Sequence, residues 1–294
     1  PLPSSTLATT RSSDDAFGAT EVVMHLGVCS WSLCPEGPQD LIEKVGATEL
    51  SAVQLALDPV RTSWGEDSIG RIREAGIEVL SAMMMMEAED YSTLESIRVT
   101  GGVRPDDSWQ RNLDCAAENA SIAAAAGIGL VSFHAGFIPH DHDDPERDKM
   151  IERLAIIARV FNDAGCRVAL ETGQETARTL LSVLDEMCLP DVGVNFDPAN
   201  MILYGTGEPL EALKKVGHLV KSVHCKDATW AEESQRGTGW GAEVPLGEGD
   251  VGLETYLRTL HELGYTGPLT IEREIAHDPE RQKADIGQAV RLLE

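Results

Sequence analysis

Positive charge is scarce in this sequence: 24 Lys and Arg stand against 49 Asp and Glu in 294 residues, a formal net charge of −25. Clustered cations are what hold a nucleic-acid backbone or an anionic membrane surface, so neither is an expected partner. Aromatic residues make up only 5%, and no run approaches the roughly 18 consecutive apolar residues of a membrane-spanning helix. The six cysteines are too sparse for a disulfide scaffold and form no CxxC pair, so reduced thiols are expected. Apolar residues, by contrast, reach 42%, enough to build a core in a chain of the length usual for a single α/β barrel.

Residues 1–20 are rich in Ser, Thr and Ala with almost no large apolar side chains and are expected to form a flexible tail. The rest, 21–294, alternates short apolar runs with longer amphipathic or Ala-rich segments. The runs are His25–Trp31, Leu50–Leu57, Ile77–Met84, Ile128–His134, Arg167–Thr172, Val192–Asp197, Val220–Cys225 and Pro268–Arg273. Each is largely apolar rather than strictly alternating, as suits parallel strands covered on both faces. Helices are expected at Gln39–Val45, Asp67–Ala75, Ser108–Ala126, Glu146–Ala164, Glu175–Met187, Pro209–Val216, Leu253–Leu263 and Pro279–Leu293. Gly127, Gly165, Gly217 and Gly264 stand where a helix would stop. Eight such units without a composition break predict one (β/α)8 TIM barrel domain rather than an open doubly wound sheet. The stretch Gly247–Gly252 fits G-x-G-x-x-G, but it follows no strand and carries Glu248 and Asp250, so it predicts a turn with Asp250 capping the next helix.

In such barrels the working residues sit at the C-terminal ends of strands. The last four runs end on Glu171, Asp197, His224 and Glu272, so four donors converge at the barrel mouth. Three carboxylates and an imidazole suit one divalent cation, with Mn2+ expected first and Mg2+, Co2+, Zn2+ or Fe2+ also compatible. Without a cation the set would repel itself in a low-dielectric cavity. His134, ending the fourth run, is placed to bond a substrate hydroxyl. Gln54 and Trp31 either bind a sugar or line the core. Lys226 either binds a substrate oxyanion or pairs with Asp227. Strand alternation is expected to send Arg273 and Glu274 away from the side on which Glu272 lies. Met83–Met86 reads as core filling, and His140 to Asp144 as a solvated loop.

The blocks Ala169-Leu-Glu171-Thr, Val194-Asn-Phe-Asp197-Pro-Ala-Asn200, Val223-His224-Cys-Lys226-Asp227, Pro245-Leu-Gly-Glu-Gly249-Asp and Tyr265 through Glu274 resemble the signature of the xylose-isomerase-like superfamily. The likeness covers residues 25–294 and is closest to the sugar phosphate isomerase/epimerase group, which includes ketose 3-epimerases and inosose isomerases or dehydratases. It implies a barrel, one divalent metal on Glu171, Asp197, His224 and Glu272, and proton transfer by the two Glu. Two positions depart from the ketose 3-epimerase pattern: Asn200 replaces a His and Trp230 an Arg. Both are read as substrate contacts, and the loss of two cations turns the reading away from a phosphorylated substrate.

The expected function is therefore a metal-dependent isomerase or epimerase acting on a ketose, cyclitol or keto-sugar through an enediolate. A lyase or dehydratase of a 3-keto-glycoside or inosose on the same site is the alternative, since it shares the proton abstraction. A DNA-repair endonuclease would need more His at strand ends and a basic face, and a non-catalytic sugar-binding protein would not need both bases. A cytoplasmic location and a possible homo-oligomer are expected; the chain begins at Pro1 without Met, so a removed export signal stays open.

Overall fold

A computed structural model describes residues 24–294 except 66, 276 and 277. The tail expected at 1–20 lies outside the described residues. Among the described residues there are ten strands: β1 (Leu26–Cys29), β2 (Ala52–Ala56), β3 (Glu78–Met83), β4 (Leu130–His134), β5 (Arg167–Glu171), β6 (Gly193–Phe196), β7 (Val220–Cys225), β8 (Asp227–Thr229), β9 (Ala242–Val244) and β10 (Leu269–Ile271). Eight of them close into a barrel in the order β1-β10-β7-β6-β5-β4-β3-β2, every pairing within it parallel. Each barrel strand falls inside one of the eight apolar runs: β7 coincides with its run, and the others are shorter by one or two residues at one or both ends.

The burial explains the missing alternation. Val53, Leu55, Val168 and Leu170 on one face of their strands are fully buried, and so are Gln54 and Ala169 on the other. The outward set packs under helices and the inward set fills the barrel, so no face is left to carry polar residues.

Helix starts follow local chemistry. Asp144 and Thr176 cap by accepting from the backbone N–H of Glu146 and Thr179, and Asp278 does the same for Arg281. The helix expected from Glu175 thus begins at Ala177, which leaves Glu175 in the loop after β5. Gly127, Gly165 and Gly264 end their helices at positive φ, whereas Gly217 has φ −53 and continues into a 3-10 turn. Gly252, not Asp250, occupies the cap of the helix Leu253–Glu262. The Asp250 carboxylate instead accepts the N–H of Trp230, because the loop between folds back onto β8.

Short elements absent from the eight-unit pattern cluster on the C-terminal side. The helices Leu94–Thr100 and Pro198–Tyr204 and the antiparallel pair β8–β9 all follow barrel strands there. Leu94, Ile97, Phe137 and Tyr204, with Trp240 against them, form an apolar cluster of their own that ties these loops together. Of the four consecutive methionines, Met83, Met84 and Met86 are buried and Met85 is exposed.

Candidate metal centre and active site

Glu171 is the last residue of β5 and His224 the fifth of β7, while Asp197 and Glu272 directly follow β6 and β10. Period-two alternation then turns all four inward at one height. Each offers a donor atom within 4.8 Å of the other three, and all four are buried. The Nδ1 atom of His224 is the hub, 3.4 Å from Glu171 Oε1, 3.5 Å from Asp197 Oδ2 and 3.2 Å from Glu272 Oε2.

The residues fit a divalent cation on a test independent of any bound ion. Buried polar atoms are nearly always partnered, yet His224 Nδ1 and Asp197 Oδ2 have no hydrogen bond within the described residues. Both orphans face the same point. Behind His224, Nε2 lies 2.7 Å from Gln54 Oε1, an acceptor that holds one ring proton on Nε2, so Nδ1 is the ring atom that would give up its proton to a cation among the carboxylates. Asp197 Oδ1 is taken by the N–H of Asn200, which leaves Oδ2 as its donor.

Electrostatics shows what this arrangement resists in the absence of a cation. Burial pushes the Asp197 carboxyl up to about 6, against the pull of Lys226 and His224. Burial opposes the imidazolium of His224, but Cys29, Glu272 and Glu171 around it outweigh that and hold it well above the ordinary value. Burial also opposes ionisation of Glu272, yet Lys226 and His224 keep it well below the usual carboxylate range. Glu171 is lowered likewise, with His134 and His224 overcoming its burial. The site therefore draws in protons and an internal lysine to balance its negative charge, a balance a metal would supply.

Comparison with known proteins agrees with this geometry. The family described as xylose isomerase-like TIM barrel matches residues 39–294. The chain belongs to that family. A xylose isomerase domain protein from Planctomyces limnophilus is 39% identical, with a TM-score of 0.81 over 86% of this chain and 90% of that one. A probable 3-DHS dehydratase from Bacillus anthracis shares the fold at a TM-score of 0.69 and 15% identity, over 91% of this chain and 99% of that one. The L-ribulose-5-phosphate 3-epimerase UlaE of Escherichia coli is 34% identical over 97 residues, 32% of this chain and 29% of that protein. The chain spans 57% and 29% of the lengths of the two curated relatives it matches.

Within this xylose isomerase-like barrel, the remaining sequence-derived candidates are placed as follows. Trp31, in the 3-10 turn Ser30–Leu33, donates its indole N–H to Glu272 Oε1 at 2.7 Å. Gln54 is fully buried beneath the cluster and also donates to Ser132 Oγ, so it orients His224 instead of facing a ligand. His134 Nε2 is 3.6 Å from Glu171 Oε1, and its Nδ1 is buried without a partner. Asn200 donates from Nδ2 to Glu171 Oε1 at 3.0 Å. Trp230 lies apart from the four donors, half-buried under the guanidinium of Arg236 at 4.6 Å.

Lys226 is buried, with Nζ 3.0 Å from Glu272 Oε2 and 2.7 Å from Glu274 Oε2. It does not pair with Asp227, whose carboxylate takes the N–H groups of Ala228, Gly247, Gly249 and Val251 and so clamps the Pro245–Gly252 loop. Glu274 corrects the expectation that it points away: two residues past Glu272 it falls on the same side and reaches Lys226. Arg273 does turn away, to Glu243 and Asp285.

Asn195 was missed from sequence. Its Nδ2 lies 3.1 Å from both Glu171 Oε2 and His224 Nε2, and its Oδ1 accepts from Ser222. Its position two residues before Asp197, on the same face of β6, was the available signal. Among the described residues the only other donor group that could hold a metal is Cys29 with His224 and Glu272, and the His140–Asp144 loop forms none.

Proposed function

We propose that the protein is a divalent-metal-dependent sugar isomerase or epimerase acting on a ketose, cyclitol or keto-sugar by proton transfer beside a carbonyl. The observation that carries this reading is the pair Glu171 and Glu272, held ionised on strands separated by β6 and β7 in the barrel. Two bases reaching one carbon from different sides can remove a proton and return one to the other face. Glu171, Asp197, His224 and Glu272 would hold the cation, Mn2+ in first place, which supplies polarisation of the carbonyl and its neighbouring hydroxyl.

The chain's own residues do the rest. Lys226 and Trp31 fix both oxygens of Glu272, and Asn195 and Asn200 fix both oxygens of Glu171, so neither base can rotate away from the reacting carbon. His134, with one unpartnered ring nitrogen, is the group available to a substrate hydroxyl beside Glu171. A small-molecule substrate is in keeping with a net charge of −25, which disfavours nucleic acid.

The deciding experiment incubates Mn2+-loaded protein in D2O with ketoses, inososes and 3-keto-glycosides, followed by mass spectrometry. Solvent deuterium at the carbon beside the carbonyl, in substrate or epimer, is the expected result. Loss of water or of an aglycone would move the assignment to a lyase on the same site, and absence of both exchange and product would refute the proposal.

A further inference from the structure

The end of the barrel opposite the four donors contains a cavity of about 530 Å³ whose lining includes Arg167, Lys221, His218, Leu80, Leu130 and Tyr265. Arg167 opens β5 and Lys221 is the second residue of β7, so the strands that bring Glu171 and His224 to one end bring two cations to the other. No Asp or Glu is among the described residues lining this cavity, although acidic residues outnumber basic ones by 49 to 24 in the chain.

Two irregularities in the barrel direct side chains into this space. The register slips between Val194 and Asn195 opposite β7, giving Lys221 an extra place in the ladder, and between Val53 and Gln54 opposite β3, giving Leu80 one. The stem of Lys221 consequently lies across the inner side of Gly193, where a Cβ would be 2.3 Å from Lys221 Cγ. Leu80 covers Gly27 in the same way, with Cδ1 2.7 Å from where a Cβ would stand. Glycine at both positions is what leaves room for this floor.

Neither Arg167, Lys221 nor His218 makes an ion pair or side-chain hydrogen bond with any described residue. Twelve of the other 21 described Lys and Arg residues have a carboxylate within ion-pair distance, and the pairs include every other cation on a barrel strand or within two residues after one. Two cations lining one acid-free cavity, with the exposed imidazole of His218 beside them, instead repel one another, and an oxyanion between them would reverse the sign of that interaction.

We propose that this N-terminal end of the barrel binds a phosphate-type dianion, either free phosphate or the phosphate group of a small metabolite, at Arg167 and Lys221. It is separate from the candidate metal centre and does not depend on the function proposed for it.

Calorimetric titration of the EDTA-treated full chain, at fixed ionic strength with chloride as background, tests this with inorganic phosphate and with glycerol 3-phosphate as probes. Saturable binding is expected for at least one probe: phosphate binding assigns a free-anion site, and binding of the ester alone a metabolite site. Arg167→Gln with Lys221→Gln should weaken it about tenfold or more, as loss of charge-assisted contacts requires. Lys226→Met, which alters the only lysine at the metal centre, should leave it unchanged. The single variant Arg167→Gln, at an exposed position, should show the same direction should the double variant fold poorly. Binding that survives the double variant, binding abolished only by Lys226→Met, or absence of saturable heat with both probes would each overturn the proposal.

Discussion

His224 presents Nε2 to Gln54 Oε1 at 2.7 Å and thereby turns Nδ1 toward three carboxylates. One amide oxygen from β2, on the far side of the barrel, sets the tautomer of a donor on β7. The hydrogen bond acts on the metal without touching it.

Replacing Gln54 by Leu keeps volume and burial but releases that constraint. Affinity for Mn2+, measured by calorimetry, is expected to fall about 10- to 100-fold, the range usual for partners behind a metal ligand. An unchanged affinity would show that Nδ1 is oriented by other means.

Glu171→Gln and Glu272→Gln each remove one base while keeping the shape and the hydrogen bonds to Asn200 or Trp31 in reach. Each is expected to reduce solvent deuterium exchange by about 10²-fold or more, the scale of a lost general base. Wild-type exchange in either variant would exclude the two-base scheme.

Lys226 is buried against Glu272 and Glu274, with Glu243 and Asp197 at 3.9 and 4.0 Å. Lys226→Met leaves those carboxylates without their internal cation. A loss of about 3–5 kcal/mol in metal-free stability is expected from denaturant unfolding, typical of breaking a buried ion pair from one side. Saturating Mn2+ should restore part of it, because the cation neutralises the same oxygens.

Glu175 is fully buried in the loop after β5 with both carboxylate oxygens unpartnered, and burial pushes it up from 4.5 to about 8. The folded state thus holds its proton more tightly than the unfolded chain. That contribution is complete below pH 4.5, declines as pH rises, and is gone by about pH 8. Melting temperatures of Glu175→Gln should accordingly fall less than those of the wild type between pH 6 and 9. Parallel curves would mean that Glu175 is ionised throughout.

The eight strands and most helices were readable because their causes are local: apolar runs covered on both faces, Asp and Thr caps, glycines ending helices. The four donors were readable for a related reason, since each closes a run and strand ends define one rim of a barrel. Asp250 was misread because its partner, the Trp230 N–H, is brought close by a loop that no pattern in its own neighbourhood describes, whereas Glu274 was misread against period-two alternation, which puts it on the side of Glu272 and within reach of Lys226.

What the sequence by itself determined is the periodicity, hence a barrel of eight units, and the residue types at its rim. Tertiary structure alone decided which donor atoms meet. Gln54, Asn195 and Trp31 approach His224, Glu171 and Glu272 from strands and turns brought together only by closure of the barrel, and sequence spacing carries no record of distances across it. The same closure, with a register slip opposite β7, gathered Arg167 and Lys221 at the opposite end, where each reads in sequence as an ordinary surface cation.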